Sequence, residues 1–130
     1  MNYDAITIGN HEFDFGPDVL ADFIGQYNNA GGTGKFISSN LDFSNEANLQ
    51  SLVNTGSIAK STIVTRGSET YGIIGATTET LPNVSTPGAT IINDVLTSVQ
   101  AEVTNLQNQG VNKIILSSHL QGIGSELSLI

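Results

Sequence analysis

The stretch Lys113-Ile114-Ile115-Leu116-Ser117 is apolar without alternation, the pattern of a strand covered on both faces rather than of one with a wet side. It follows Ile92, Val95, Leu96, Val99, Val103 and Leu106, which keep helical phase over four turns, and Gly110 stands just past them as a C-terminal stop. A helix that delivers the chain to a doubly covered strand is a building unit of layered α/β folds.

The rest of the chain fits that unit. Ala5-Ile6-Thr7-Ile8 reads as a short strand. From Pro17 to about Asn28 an amphipathic helix is expected, with Val19, Leu20, Phe23, Ile24 and Tyr27 on one face and the turn residues Asn28 to Gly34 ending it. Phe36 to Leu41 reads as a second strand, and Asp42 to Gly56 as a loop with one short helical turn. Ser61 to Arg66 and Tyr71 to Ala76 flank Gly67-Ser68-Glu69-Thr70 as a hairpin, and Thr77 to Thr90 reads as irregular loop. No internal repeat is present. Strand, helix, strand, hairpin, helix, strand is an α/β order. Tyr3 to Ile8 opens inside a strand and Ser125 to Ile130 closes inside a helix, so both ends are expected to be truncations of a larger domain.

The charge excludes several partners. Asp and Glu number 12 against 4 Lys and Arg, a formal net charge of −8, and so acidic a surface repels nucleic-acid polymers and anionic membranes. A small phosphorylated substrate remains compatible, because bound cations reverse the local field. No cysteine is present, so neither a disulfide framework nor a thiolate metal site exists here. No apolar run reaches the roughly 18 residues of a membrane span, and Met1-Asn2-Tyr3-Asp4 lacks the basic start of a secretory signal.

Both histidines stand directly after expected strands, where open α/β sheets place their ligand sites. His11 lies in Gly9-Asn10-His11-Glu12-Phe13-Asp14. Asn10 offers a neutral carbonyl oxygen suited to a divalent cation, His11 a proton donor near neutral pH, and Asp14 a carboxylate able to hold the other imidazole nitrogen. Glu12 is expected to support the loop and to take no chemical step.

The string Gly9-Asn10-His11-Glu12-Phe13-Asp14-Phe15-Gly16 resembles the Asn-His-Glu signature of calcineurin-like metallophosphoesterases, in the form of the 5′-nucleotidase and UDP-sugar hydrolase branch. Ile114-Ile115-Leu116-Ser117-Ser118-His119-Leu120 is similar to that branch's second histidine segment, Ser39-Asn40-Leu41-Asp42 to its Asn-Leu turn, and Tyr71 to Thr78 to its Gly-Ile-Ile-Gly strand. The resemblance implies a partial α/β metallophosphoesterase domain, a four-layer α/β/β/α sandwich in its complete form. It implies Asn10 and His119 as metal ligands, His11 as the acid facing the phosphoryl group and leaving oxygen, and Asp14 as the residue that orients His11. It also implies two divalent metal ions (Zn, Mn, Fe, Mg or Ca), a nucleotide as the small phosphorylated substrate, and export to the periplasm or the cell surface.

The family's early Asp-x-His, its bridging Asp and its late Gly-His-x-His do not occur in residues 1–130, and neither does its substrate-specificity domain. Residues 1–130 are therefore expected to be an incomplete catalytic domain, inactive alone. The alternative is a non-catalytic α/β binding or interaction domain that keeps the scaffold. Gly31-Gly32-Thr33-Gly34-Lys35 is a turn and not a phosphate loop, since position 29 is Asn and Phe36 replaces the required hydroxyl. Ser117-Ser118-His119 lacks the elbow of a serine hydrolase. Asn83-Val84-Ser85 is a formal glycosylation acceptor without further support, and Asp42, Glu46, Asp94 and Glu102 read as solvated surface.

Overall fold

The computed structural model describes residues 2–127. In chain order the elements are β1 (Ala5–Thr7), a 3-10 turn (His11–Phe13), α1 (Pro17–Asn29), β2 (Lys35–Ile37), β3 (Leu41–Asp42), α2 (Ala47–Asn54) and β4 (Ile58–Ala59). They continue as β5 (Ser61–Arg66), β6 (Glu69–Thr77), α3 (Leu81–Val84), β7 (Ile91–Ile92), α4 (Val95–Asn108), β8 (Ile114–His119) and α5 (Ile123–Leu127). Residues 128–130 of the expected last helix lie outside the described residues.

β2 is the middle strand of a parallel sheet, between β1 and β4. A second sheet has β6 in the middle, antiparallel to β5 in the expected hairpin and parallel to β8. β3 and β7 form a small antiparallel pair. α1 and α2 cover the first sheet over a core that includes Ile8, Phe13, Leu20, Ile24, Phe36, Leu49 and Ile58. α4 covers the second, where Val95, Val99 and Leu106 pack with Ile74 and Ala76. Each fully buried side chain of this kind contributes about 1.5–3 kcal/mol. The sheets meet backbone to backbone at Gly75. A Cβ there would lie 2.3 Å from the Ile37 carbonyl oxygen, and the glycine lets Ser39 N–H donate to Gly75 O at 2.8 Å.

Several expectations change. The buried stripe of α1 is Leu20, Ala21 and Ile24, while Val19 and Phe23 are 49% and 55% exposed, because α1 packs against α2 as well as the sheet and its stripe turns toward the small Ala21. The second strand stops at Ile37, and Leu41 starts β3. Asp42 to Gly56 holds α2, a helix of 8 residues anchored by Leu49, and the loop from Thr77 to Thr90 holds the short α3. Ile92 belongs to β7 rather than to α4. β8 has β6 as its one neighbour among the described residues, and its Ile115 and Leu116 are 49% and 36% exposed, so the expected cover on both faces is not supplied there. Glu102 is buried, where it accepts hydrogen bonds from Ser61 Oγ (2.6 Å) and Asn105 Nδ2 (3.1 Å). Asp42 accepts from Ser44 N–H, and Glu46 from Ala89 N–H, so these carboxylates order loops rather than merely facing water.

Asp94 caps α4 by accepting from Thr97 N–H at 2.7 Å, and Gly110 (φ 84°) ends it, with Val111 N–H returning to Leu106 O at 3.0 Å. Hydrogen bonds from the Thr97 side chain and then its backbone hold the Asp94 carboxyl below its ordinary 3.8. A carboxylate with a depressed folded-state pKa stabilises fully above the unfolded value and loses that contribution as pH falls through the folded value. Asp94→Ala is therefore expected to lower the melting temperature by a few degrees at pH 7. That gap should close well below pH 3.8. A gap of the same size in strong acid would show that the carboxylate is not its source.

Candidate active site

The first half of the site is a tight loop at the carboxyl end of β1. Phe13 is fully buried and stacks on Phe43 with ring centroids 6.5 Å apart, which pins the 3-10 turn to the core. Glu12 Oε2 accepts from Gly9 N–H at 2.7 Å and closes the loop, the supporting role expected of it. Gly9 has to be small, since a Cβ there would lie 3.0 Å from both Glu12 Oε2 and the His119 ring. With Phe13 turned inward, His11 and Asp14 point outward at i and i+3, and Asp14 Oδ2 stands 2.7 Å from His11 Nδ1. Their side chains are 76% and 38% exposed. The hydrogen bond to Asp14, followed by its charge, raises the His11 pKa above 6.5. The bond to His11, followed by one from Ser85, lowers that of Asp14.

The second half arrives on β8, whose parallel register with β6 sets His119 opposite Thr77. His119 Nε2 lies 2.7 Å from Asn10 Oδ1, and Asn10 is only 3% exposed. The two residues assigned to one cation by the resemblance thus converge, with His11 next to Asn10 in sequence. Among the described residues no group of three or more His, Cys, Asp or Glu side chains gathers at one point.

A buried polar network holds these strand ends. Asn40, fully buried, donates to Thr77 O (2.9 Å) and Asn93 O (3.3 Å), while its Oδ1 accepts from Thr77 N–H (2.9 Å) and Ser38 Oγ (3.2 Å). Thr77 Oγ1 donates to Ile8 O at 2.6 Å, one residue before Gly9. Thr7 Oγ1 pairs with Ser117 Oγ at 2.6 Å and ties β1 to β8. Sequence reasoning missed two contacts to the site residues. Ser85 Oγ donates to Asp14 Oδ1 at 2.8 Å, and Gln121 Nε2 donates to Asn10 Oδ1 at 2.7 Å from a backbone with φ 69°. A strained φ is invisible in sequence, and Ser85 carried only its place in a glycosylation triplet.

Parallel strand ends that bring a histidine and an asparagine oxygen together make a layered α/β domain with its candidate site at the ends of the strands. No model of a known protein family matches the chain. The trifunctional nucleotide phosphoesterase of Bacillus subtilis is 34% identical over 92% of the chain, and the 5′-nucleotidase of Bos taurus 35% identical over 92%. The crystal structure of a 5′-nucleotidase precursor from Thermus thermophilus superposes on 98% of the chain with a TM-score of 0.85 and 41% identity. The chain spans 10%, 20% and 23% of those three proteins. It belongs to the 5′-nucleotidase family of metallophosphoesterases. Among the described residues no helix is long and apolar enough to cross a membrane.

Proposed function

We propose that the protein carrying this chain hydrolyses phosphate esters, 5′-nucleotides foremost, at a divalent metal site of which Asn10 and His119 are two ligands. The observation that carries this reading is the 2.7 Å approach of His119 Nε2 to Asn10 Oδ1, made across 109 residues of sequence. The donors fit a cation: a neutral amide oxygen and an imidazole nitrogen, one of them nearly buried, meet at one point. When bound, a metal pair would supply an activated water and charge neutralisation at phosphorus.

The chain's own residues supply orientation and a proton. Asp14 holds His11 at Nδ1, which leaves the Nε2 edge of an exposed ring to meet the substrate and to hold the proton for the departing oxygen. The Asp14 hydrogen bond and then its charge raise the His11 pKa above 6.5, the direction that favours the proton-bearing form. In this reading residues 1–130 are an incomplete catalytic domain, and the remaining ligands and the substrate-binding part lie elsewhere in the parent protein. Export to the periplasm or cell surface rests on relatives such as the Thermus protein, described as a precursor.

The test uses the full-length gene product with manganese or zinc and AMP. Phosphate release is expected, and His119→Ala is expected to lower bound metal, measured by elemental analysis after desalting, by at least about tenfold. Full metal content in that variant would remove His119 from the ligand set. A folded, metal-loaded protein that released no phosphate from any nucleotide would favour the non-catalytic scaffold instead.

A further inference from the structure

Asp14 has two carboxylate oxygens, and both are engaged. Oδ2 faces His11 Nδ1 at 2.7 Å, and Oδ1 accepts from Ser85 Oγ at 2.8 Å, a contact between residues 71 apart in the chain. Ser85 is not a loosely placed surface serine. It ends α3, its N–H donates to Leu81 O at 3.0 Å, and Leu81 is fully buried in the same core as Phe13. The next residue ties the two loops through the main chain, with Thr86 N–H donating to Phe13 O at 3.3 Å. That backbone bond already fastens the segment to the site loop, so the serine hydroxyl is not needed as a fastener.

We propose that Ser85 is a positioning residue for the His11–Asp14 pair: its hydroxyl fixes one oxygen of Asp14 and thereby turns the other onto His11 Nδ1. A carboxylate held at one oxygen alone swings about its Cβ–Cγ bond, and an exposed imidazole swings with it. Fixed at both oxygens, it selects the Nδ1–H tautomer of neutral His11 and keeps the Nε2 edge aimed outward. The assignment rests on the reading of His11 as the acid.

The test is a set of variants of the full-length gene product. Ser85→Ala is expected to lower kcat for AMP about tenfold with KM changed less than about twofold, and Ser85→Thr, which keeps the hydroxyl, to restore most of the rate. In an Asp14→Asn background Ser85→Ala should cost nothing further, since its action passes through Asp14. Imidazole nitrogen chemical shifts give a readout independent of turnover. His11→Ala identifies the His11 signals among those of the full-length protein by their loss. Above the His11 titration the wild type should show chiefly the Nδ1–H tautomer, and Ser85→Ala a mixture. A merely structural Ser85 would leave the tautomer and kcat unchanged, or would lose rate additively with Asp14→Asn, and either result overturns the proposal. If the wild type released no phosphate, the proposed function would fail while the tautomer comparison still decided the role of Ser85.

Discussion

His11→Ala in the full-length gene product is expected to lower kcat by about 10²–10⁴-fold, with bound metal unchanged. The expectation follows from the geometry. His11 is paired to Asp14 at 2.7 Å and its side chain is 76% exposed, so no packing depends on it. The proposed metal donors, Asn10 and His119, meet each other without help from His11. A proton donor acts as the leaving oxygen gains charge, so its loss should appear in kcat and kcat/KM together rather than in KM. The contrast with His119→Ala, which should empty the site first, is the discriminating measurement. Loss of metal and of rate to the same extent in both variants would mean that the two histidines do not divide the work in this way.

The largest effect on stability is expected at Asn40. Asn40→Leu keeps the size and removes every hydrogen bond of a fully buried amide, leaving the N–H and the carbonyl of fully buried Thr77 without that partner. Stranded groups of this kind cost about 1–3 kcal/mol each, so urea denaturation should show a loss of about 3 kcal/mol or more. The damage should also reach the site, because Thr77 carries both the Asn40 bonds and the 2.6 Å bond to Ile8 O at the root of the Gly9–Asp14 loop. A loss below about 1 kcal/mol would mean that the strand ends are held by packing and not by this network.

Much of this was legible in the sequence because the signals were local. Gly67-Ser68 between β-branched runs gives the hairpin, Gly110 the end of α4, and the polar residues Asn10 and His119 at the ends of apolar runs give the meeting of those two strand ends. What was not legible depends on partners far along the chain. The segment Asp42 to Gly56 is rich in Asn and Ser, which hides α2, a short helix held to the core by fully buried Leu49. Glu102 carries a charge, which argued for solvent, yet it follows Val95 and Val99 in the phase of the buried stripe of α4. Ser61, from a different strand, satisfies its carboxylate there. The apolar run of β8 states what that strand needs on each face, and it cannot state which residues meet the need. Nothing near Ser85 announces Asp14, since the contact exists only once the loop after β6 has folded back over β1.

The bond from His119 to Asn10 joins points 109 residues apart, and the strands that carry them touch only after both sheets have formed. A cation gripped by both would act as a staple around almost the whole chain, and the chain entropy lost in closing so long a loop grows only logarithmically with its length. If the proposed ligands hold an ion, its capture would report that both sheets are in place, and partial opening at the β8 end would release it before the rest of the molecule unravels, which would make ion loss an early gauge of damage to the protein.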